Sequence, residues 1–411
     1  ETMRKWFMAV LVIGMMLSVV PLQAMEPVKI GMITTLSTKA GYLGEEIRDG
    51  FQLAIDQEGG KLGGIPVELL VDDDGRKPEK AKQIADRFIQ RDKVKILTGI
   101  VFSNVAIAVV PKVVQQDVIY VSANAGPSLL AGKGCHPNYF NVAYQNDNLD
   151  EVVGKYVTEA GFKNVYLLAP NYPAGKDHLA GFKRYFEGAT AGEIYTKLGQ
   201  SDYAAEIAAL RAAKPDAVIF CTGGRSMTNI MKAIKATGMA EKVPVWVHTG
   251  TDHAVLKPLG MEGPEGVMGT MDYHFYYPET PANMAFVEAF QAAYGGPPGF
   301  PAFHGYITGH FIAEAYKKAG SVDTEKFIDA LEGMKIQSPA GELEMRACDH
   351  QVALPMYLGV TKKAPGKDYI FSSDIITLKG DEVLPTCRWR SAPRSGPRTA
   401  DTSRSGVRPA W

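Results

Sequence analysis

From Val28 onward the chain repeats one rhythm, in which short β-branched runs are followed by longer amphipathic stretches, and this rhythm narrows the possible folds more than any other feature. Val28 to Thr34 and Val67 to Val71 read as strands on either side of a helix over Gly44 to Glu58, whose apolar positions are Ile47, Phe51, Leu53, Ala54 and Ile55. Helices over Pro78 to Arg91 and Val105 to Gln116 and strands over Val94 to Gly99 and Val118 to Ser122 follow. Strand, helix, strand with short connections predicts a parallel sheet covered on both faces. After a break at Asn141 to Asp150 the rhythm restarts, with helices over Leu149 to Ala160, Gly175 to Glu187, Ala204 to Ala213 and Ser226 to Thr237. Strands are expected over Val165 to Ala169, Ala217 to Cys221 and Val243 to Val247, then helices over Pro278 to Tyr294, Gly305 to Gly320 and Thr324 to Leu331. Glu342 to Arg346, Pro355 to Thr361 and Tyr369 to Ile376 read as late strands. The expectation is an α/β protein of two similar units, in keeping with 411 residues, more than one core of ordinary size can hold.

The two ends depart from the rhythm. Arg4 and Lys5 precede an apolar run from Trp6 to Val20, Pro21 breaks it, and Ala24 offers a small residue for cleavage, the order of a secretory signal over residues 1–25. The run is shorter than the roughly 20 residues that span a bilayer. Residues 388–411 are rich in Arg, Pro, Ser and Gly without apolar period, and are expected to be a disordered or non-native tail. With 44 basic and 45 acidic residues the chain has no net field to draw it onto nucleic acid. Four cysteines, Cys135, Cys221, Cys348 and Cys387, then fall in an oxidising compartment. Three complete pairings are possible; Cys348 and Cys387 share one segment and are the expected bridge, against the alternative of four free thiols.

Catalytic patterns are missing. Gly63-Gly64 precedes a strand, where a dinucleotide loop would follow one, and neither a phosphate-binding loop nor a nucleophile elbow occurs. Asp72-Asp73-Asp74-Gly75 lacks the alternate carboxylates of a calcium loop and reads as a solvated turn. His248, His253 and His274 lack the helical spacing of a zinc pair. No metal or cofactor is therefore expected.

In open parallel sheets ligands settle beyond the carboxyl ends of strands, where helix N-termini offer unpaired amides to anions. The loops there are Thr35 to Leu43, Phe102-Ser103-Asn104, Ala123-Asn124-Ala125-Gly126, Asn171-Tyr172-Pro173, Thr222-Gly223-Gly224 and His248-Thr249-Gly250-Thr251. Small hydroxyl and amide side chains beside glycine suit a carboxylate, although helix caps at Ser103, Ser226 and Thr251 account for each loop separately.

The run Val28-Lys29-Ile30-Gly31 with Gly41 and Gly44, the segment Gly63 to Leu69 with Asp72-Asp73, Gly99 to Ser103, Ala169-Pro170-Asn171-Tyr172 with Gly175, Ala204 to Gly224, and Arg346 to Gln351 together resemble the leucine/isoleucine/valine-type periplasmic binding proteins over nearly all of residues 26–387. The resemblance implies a type I periplasmic binding protein fold, two Rossmann-like lobes with parallel sheets joined by a three-strand hinge and closing on a ligand. The expected lobes are residues 26–145 with 275–346, and 146–274 with 347–387. On the first lobe it implies a carboxylate pocket at Ser103, Asn124 and Gly126, with Leu43 and Phe102 beside it. On the second lobe it implies contacts at Tyr172, Ala174, Thr222, Gly223 and Thr249. Amino-acid binders of the family hold the ligand ammonium with an acidic side chain where this chain has His248-Thr249, so Asp272 is the candidate substitute. Otherwise Phe102, Tyr172 and Tyr273 suit an aromatic or aliphatic acid. The implied role is a monomeric periplasmic protein that carries a carboxylate solute to ABC permease subunits in the inner membrane, without catalysis. A sensor module of the same fold and an α/β hydrolase-type enzyme are the rivals.

Overall fold

The computed structural model describes residues 26–221 and 225–384. Its first sheet contains β1 (Val28–Thr34), β2 (Lys61–Leu62), β3 (Ile65–Asp73), β4 (Ile96–Thr98), β5 (Ile119–Ser122) and β6 (Tyr139–Asn141), in the spatial order β2-β3-β1-β4-β5-β6. All pairs are parallel except β2 with β3. Because both faces are covered, successive side chains enter different cores. Ile30 and Met32 join Phe51, Phe303 and Phe311 on one side, whereas Ile33, Leu97 and Tyr120 join Phe88, Val109 and Val113 on the other. Burial of each such side chain contributes about 1.5–3 kcal/mol. The covering helices include α1 (Gly41–Gln57), α2 (Pro78–Gln90) and α3 (Ser103–Val114).

The second sheet is built from β7 (Asn164–Pro170), β8 (Ala189–Thr196), β9 (Ala217–Phe220), β10 (Val245–His248), β11 (Val267–Met271), β14 (Met356–Lys362) and β15 (Phe371–Leu378), in the order β15-β14-β11-β10-β9-β7-β8. It departs from a purely parallel sheet at one edge, where β14 runs antiparallel to β11 and to β15. Helices α4 (Asn148–Glu159) and α5 (Pro173–Tyr185) cover the face bearing Val165, Leu167, Ile219 and Trp246. The opposite face, with Leu168, Phe220 and Val247, packs on Ile207 and Leu210 of α6 (Ala204–Ala213) and on α7 (Arg225–Thr237).

Later segments return to the first core. Phe286 and Phe290 of α8 (Pro281–Tyr294), Phe303 and Phe311 of α9 (Phe300–Ala319) and Phe327 of α10 (Thr324–Leu331) pack there, followed by the hairpin of β12 (Lys335–Ser338) and β13 (Gly341–Glu344). The described chain thus passes between the two halves at 142–147, 272–280 and 345–355. Two of these passages are tied to each other, since Asn141 N donates to His350 O and Val352 N donates to Asn141 O, both at 2.9 Å.

Strands β6, β8, β11 and β12 and the short β2 were not legible, and α9 begins at Phe300, five residues before the expected Gly305. Cys348 is disulfide-bonded, while Cys135 and Cys221 are free thiols. Cys387, its expected partner, lies outside the described residues, as do the signal at 1–25 and the tail at 388–411. No described helix is long and apolar enough to cross a membrane.

Candidate ligand-binding cleft

Between the carboxyl ends of the two sheets lies a cavity of about 630 Å³. On the first lobe Leu43, Phe102, Ser103 and Asn124 line it. Gly126 does not; its neighbour Ala125 does, while the Gly126 carbonyl accepts from Asn146 N at 2.8 Å. Ser103 is the first residue of α3 rather than its cap, the cap position being the extended Phe102. No side chain caps this helix and its first turn has no acidic residue, so the Ser103 and Asn104 amides can meet an anion, while those of Val105 and Ala106 donate to Phe102 O.

Tyr172, Ala174 and Thr249 line the second wall, whereas Thr222 and Gly223 lie outside the described residues. Helix α5 also starts at the cleft, after Tyr172, without a side-chain cap or an acidic first turn. Thr249 adopts a left-handed backbone (φ 49°), and its Oγ1 lies 2.8 Å from Met227 Sδ. The helical turn at His253–Leu256 is capped by Asp252, whose carboxylate accepts from Ala254 N, not by Thr251. Asp272 does not line the cavity: it is 1% exposed and sits 2.6 Å from His304 Nε2 in a buried pair. It therefore offers no free carboxylate to a ligand ammonium.

The cleft also contains groups that sequence reasoning missed. The acidic run at the end of β3 is a brace rather than a solvated turn. Burial opposes ionisation of Asp73, but hydrogen bonds from Leu36 N, Ser37 and Gly75 N hold its carboxyl well below the usual range. Asp74, pushed up by burial, accepts from Thr35 Oγ1 at 2.7 Å and Arg76 N at 2.6 Å. The brace fixes the 36–43 loop and holds Arg76 at φ 62°, with its guanidinium 4.6 Å over the Phe102 ring. Arg76 lines the cavity, as do Lys39, Tyr42, Tyr144 and Phe300.

His178 and His248 reach the second wall around a buried carboxylate, Asp150. Helices α4 and α5 bring Asp150 beside His178 because small residues let them approach: a Cβ on Gly154 would lie 2.4 Å from Phe182 O, and one on Gly181 would lie 2.4 Å from Asp147 O. Arg184 pins the same pair of helices, reaching Asp147 at 3.1 Å and the fully buried Glu151. Burial would raise the Asp150 carboxyl, but His248 and His178 hold it well below its usual value. His178 is pushed up, Asp150 overcoming burial, while burial and His178 push His248 down. Cys221 Sγ donates to Asp150 Oδ1 at 3.2 Å and its thiol is driven up by burial, the opposite of an activated nucleophile. Asp177 spans the halves by accepting from Ser128 N at 3.1 Å and Asn146 Nδ2 at 2.9 Å.

Among the described residues, the wall therefore presents Lys39, Arg76, His178 and His248 but no Asp or Glu.

Comparison with known proteins agrees with this architecture. Residues 27–366 match the model of a family described as periplasmic binding protein. A Leu/Ile/Val-binding protein homolog 6 from Brucella melitensis is 25% identical over 371 residues, covering 87% of this chain and 94% of that protein. An ABC transporter substrate-binding protein from Sphaerobacter thermophilus superposes with a TM-score of 0.79 at 29% identity, covering 85% of this chain and 98% of the other. A solute-binding protein of an ABC transporter from Rhodopseudomonas palustris BisB5, solved in complex with 3,4-dihydroxybenzoic acid, superposes with a TM-score of 0.78 at 26% identity, covering 85% and 97%.

Proposed function

The chain belongs to the periplasmic binding protein family, and from that premise we propose that it is the solute-binding subunit of an ABC importer, capturing a small aromatic or aliphatic carboxylate between its lobes. The observation that carries the choice of solute is the charge of the wall, which has cations and uncapped helix N-termini but no carboxylate among its described residues. An amino acid would bury its ammonium without a partner, because Asp150 is enclosed by two imidazoles and Asp272 by His304. In this reading Arg76 and the amides of α3 receive the carboxylate, with Ser103 and Asn124 beside them. Tyr42, Phe102, Tyr144, Tyr172 and Phe300 enclose the apolar body. The dihydroxybenzoic acid held by the Rhodopseudomonas protein supports an aromatic acid. The name of the Brucella relative favours a branched-chain amino acid as the second reading. The protein makes or breaks no bond; it would work in the periplasm and deliver its solute to permease subunits.

A thermal-shift screen of the full chain against benzoate-type acids, aliphatic acids and amino acids tests this. A solute at 100 times its Kd stabilises the native state by about 2.7 kcal/mol. A saturable shift with acids, reduced in Arg76→Ala, is expected; shifts confined to leucine, isoleucine or valine would favour the second reading.

A further inference from the structure

We propose that Asp150, His178 and His248 form a binding site for a late first-row divalent cation such as Zn²⁺ in the second wall of the cleft. Asp150 Oδ2 lies 2.7 Å from His178 Nδ1 and 3.1 Å from His248 Nδ1, with side chains 2%, 7% and 5% exposed. One ligand atom from each residue falls within 4.8 Å of the other two. The three atoms meet as ion pairs at these distances, without the angles of well-aligned hydrogen bonds between them. Three buried polar atoms that converge as charges, poorly aligned for hydrogen bonding, are placed as donors around a common centre. An ion there would replace imperfect contacts with coordinate bonds.

The donor set fits the ion. Two imidazoles and one carboxylate are the ligands of open zinc sites, in which a fourth position is left for water or a bound molecule. Donors at bond lengths of about 2.0–2.2 Å around a tetrahedral ion are roughly 3.3 Å apart, so the observed separations need to open only slightly. Imidazole with carboxylate selects Zn²⁺ and its neighbours over Mg²⁺ or Ca²⁺. Cys221 Sγ, by donating to Oδ1, leaves Oδ2 for the ion and orients the carboxylate from outside the donor set. Both histidines line the cavity, so the fourth position faces it. One carboxylate leaves a net positive charge on the ion there, which gives an anionic solute a second anchor across the cleft from Arg76.

Tag-free full chain carrying Cys135→Ser, to remove the exposed thiol, is stripped with EDTA and returned to chelator-free buffer near neutral pH. It is titrated with ZnCl₂ by calorimetry and with CoCl₂ by visible absorption. The expected result is one ion per chain and intense d–d bands of low-coordinate Co²⁺, both lost in His178→Ala and in His248→Ala but kept in Ser103→Ala. Absence of saturable binding, or unchanged stoichiometry in the double histidine variant, would overturn the site. Thermal shifts by benzoate, measured with and without EDTA, separate this inference from the solute reading. Benzoate binding beside absent metal binding sinks the metal site alone. Stoichiometric metal binding with no benzoate shift upholds it and counts against the aromatic-acid reading.

Discussion

The first lobe meets the cleft with the amides of α3, the Ser103 hydroxyl, the Asn124 amide and the Arg76 guanidinium. The second lobe meets it with ionisable groups, His178 and His248, locked around Asp150. The difference separates two tasks. Among the described residues the Arg76 guanidinium of the first wall forms no salt bridge, whereas the imidazoles of the second wall are paired with Asp150. Solute affinity should therefore depend most on the first wall and conformational stability most on the second.

Asp150→Ala tests that division with the largest effect. Removing one partner of a buried ionic cluster strands the others, so urea unfolding should report a loss of about 3–5 kcal/mol. A loss within 0.5 kcal/mol, the range of ordinary surface changes, would mean that the second wall is not locked at all. Arg76→Ala should behave in the opposite manner. Solute affinity measured by calorimetry should fall by about 1.5–3 kcal/mol, the range for hydrogen bonds to charged groups, with the unfolding midpoint nearly unchanged. If affinity survives, the carboxylate is held elsewhere. Ser103→Ala removes a single neutral group and should cost about 0.5–1.5 kcal/mol of solute affinity.

One group of the first lobe blurs the contrast and gives the smallest test. Glu46 of α1 accepts from Gly299 N at 3.1 Å and faces Asp252 and His253 of the second lobe. Burial, helped by Asp252 and opposed by His253, pushes its carboxyl from 4.5 up to about 8. The folded state then prefers the protonated acid. Its stabilising contribution is complete below about pH 4.5, where the unfolded carboxyl is also protonated, and is lost as pH rises through about 8. Glu46→Gln should accordingly raise Tm more at alkaline than at mildly acidic pH; parallel Tm profiles would remove Glu46 from the account.

Part of each wall was legible in the sequence and part was not, for a physical reason. Phe102, Ser103 and Asn124 sit directly beyond β4 and β5, where strand-end logic places ligands. Helices over Ala204–Ala213 and Thr324–Leu331 were readable to the residue, the latter because Asp323 caps it by accepting from Lys326 N. Asp150, His178 and His248, however, come from α4, α5 and the end of β10, and only the packing permitted by Gly154 and Gly181 makes the first two neighbours. Arg76 escaped notice because its direction depends on a left-handed backbone that Asp74 holds. Strand β8 was hidden by its edge position and mixed exposure, and β11 by the glycine and threonine inside Val267–Met271.

The most direct test of the central claim is calorimetric titration of the full chain with matched pairs that differ only in the ammonium group: leucine against isocaproate, and phenylalanine against phenylpropanoate. A cleft with cations and no free carboxylate should bind the deaminated acid of each pair and reject the amino acid. Binding of leucine or phenylalanine with rejection of the corresponding acid would contradict it and would require an ammonium partner that the described wall does not provide.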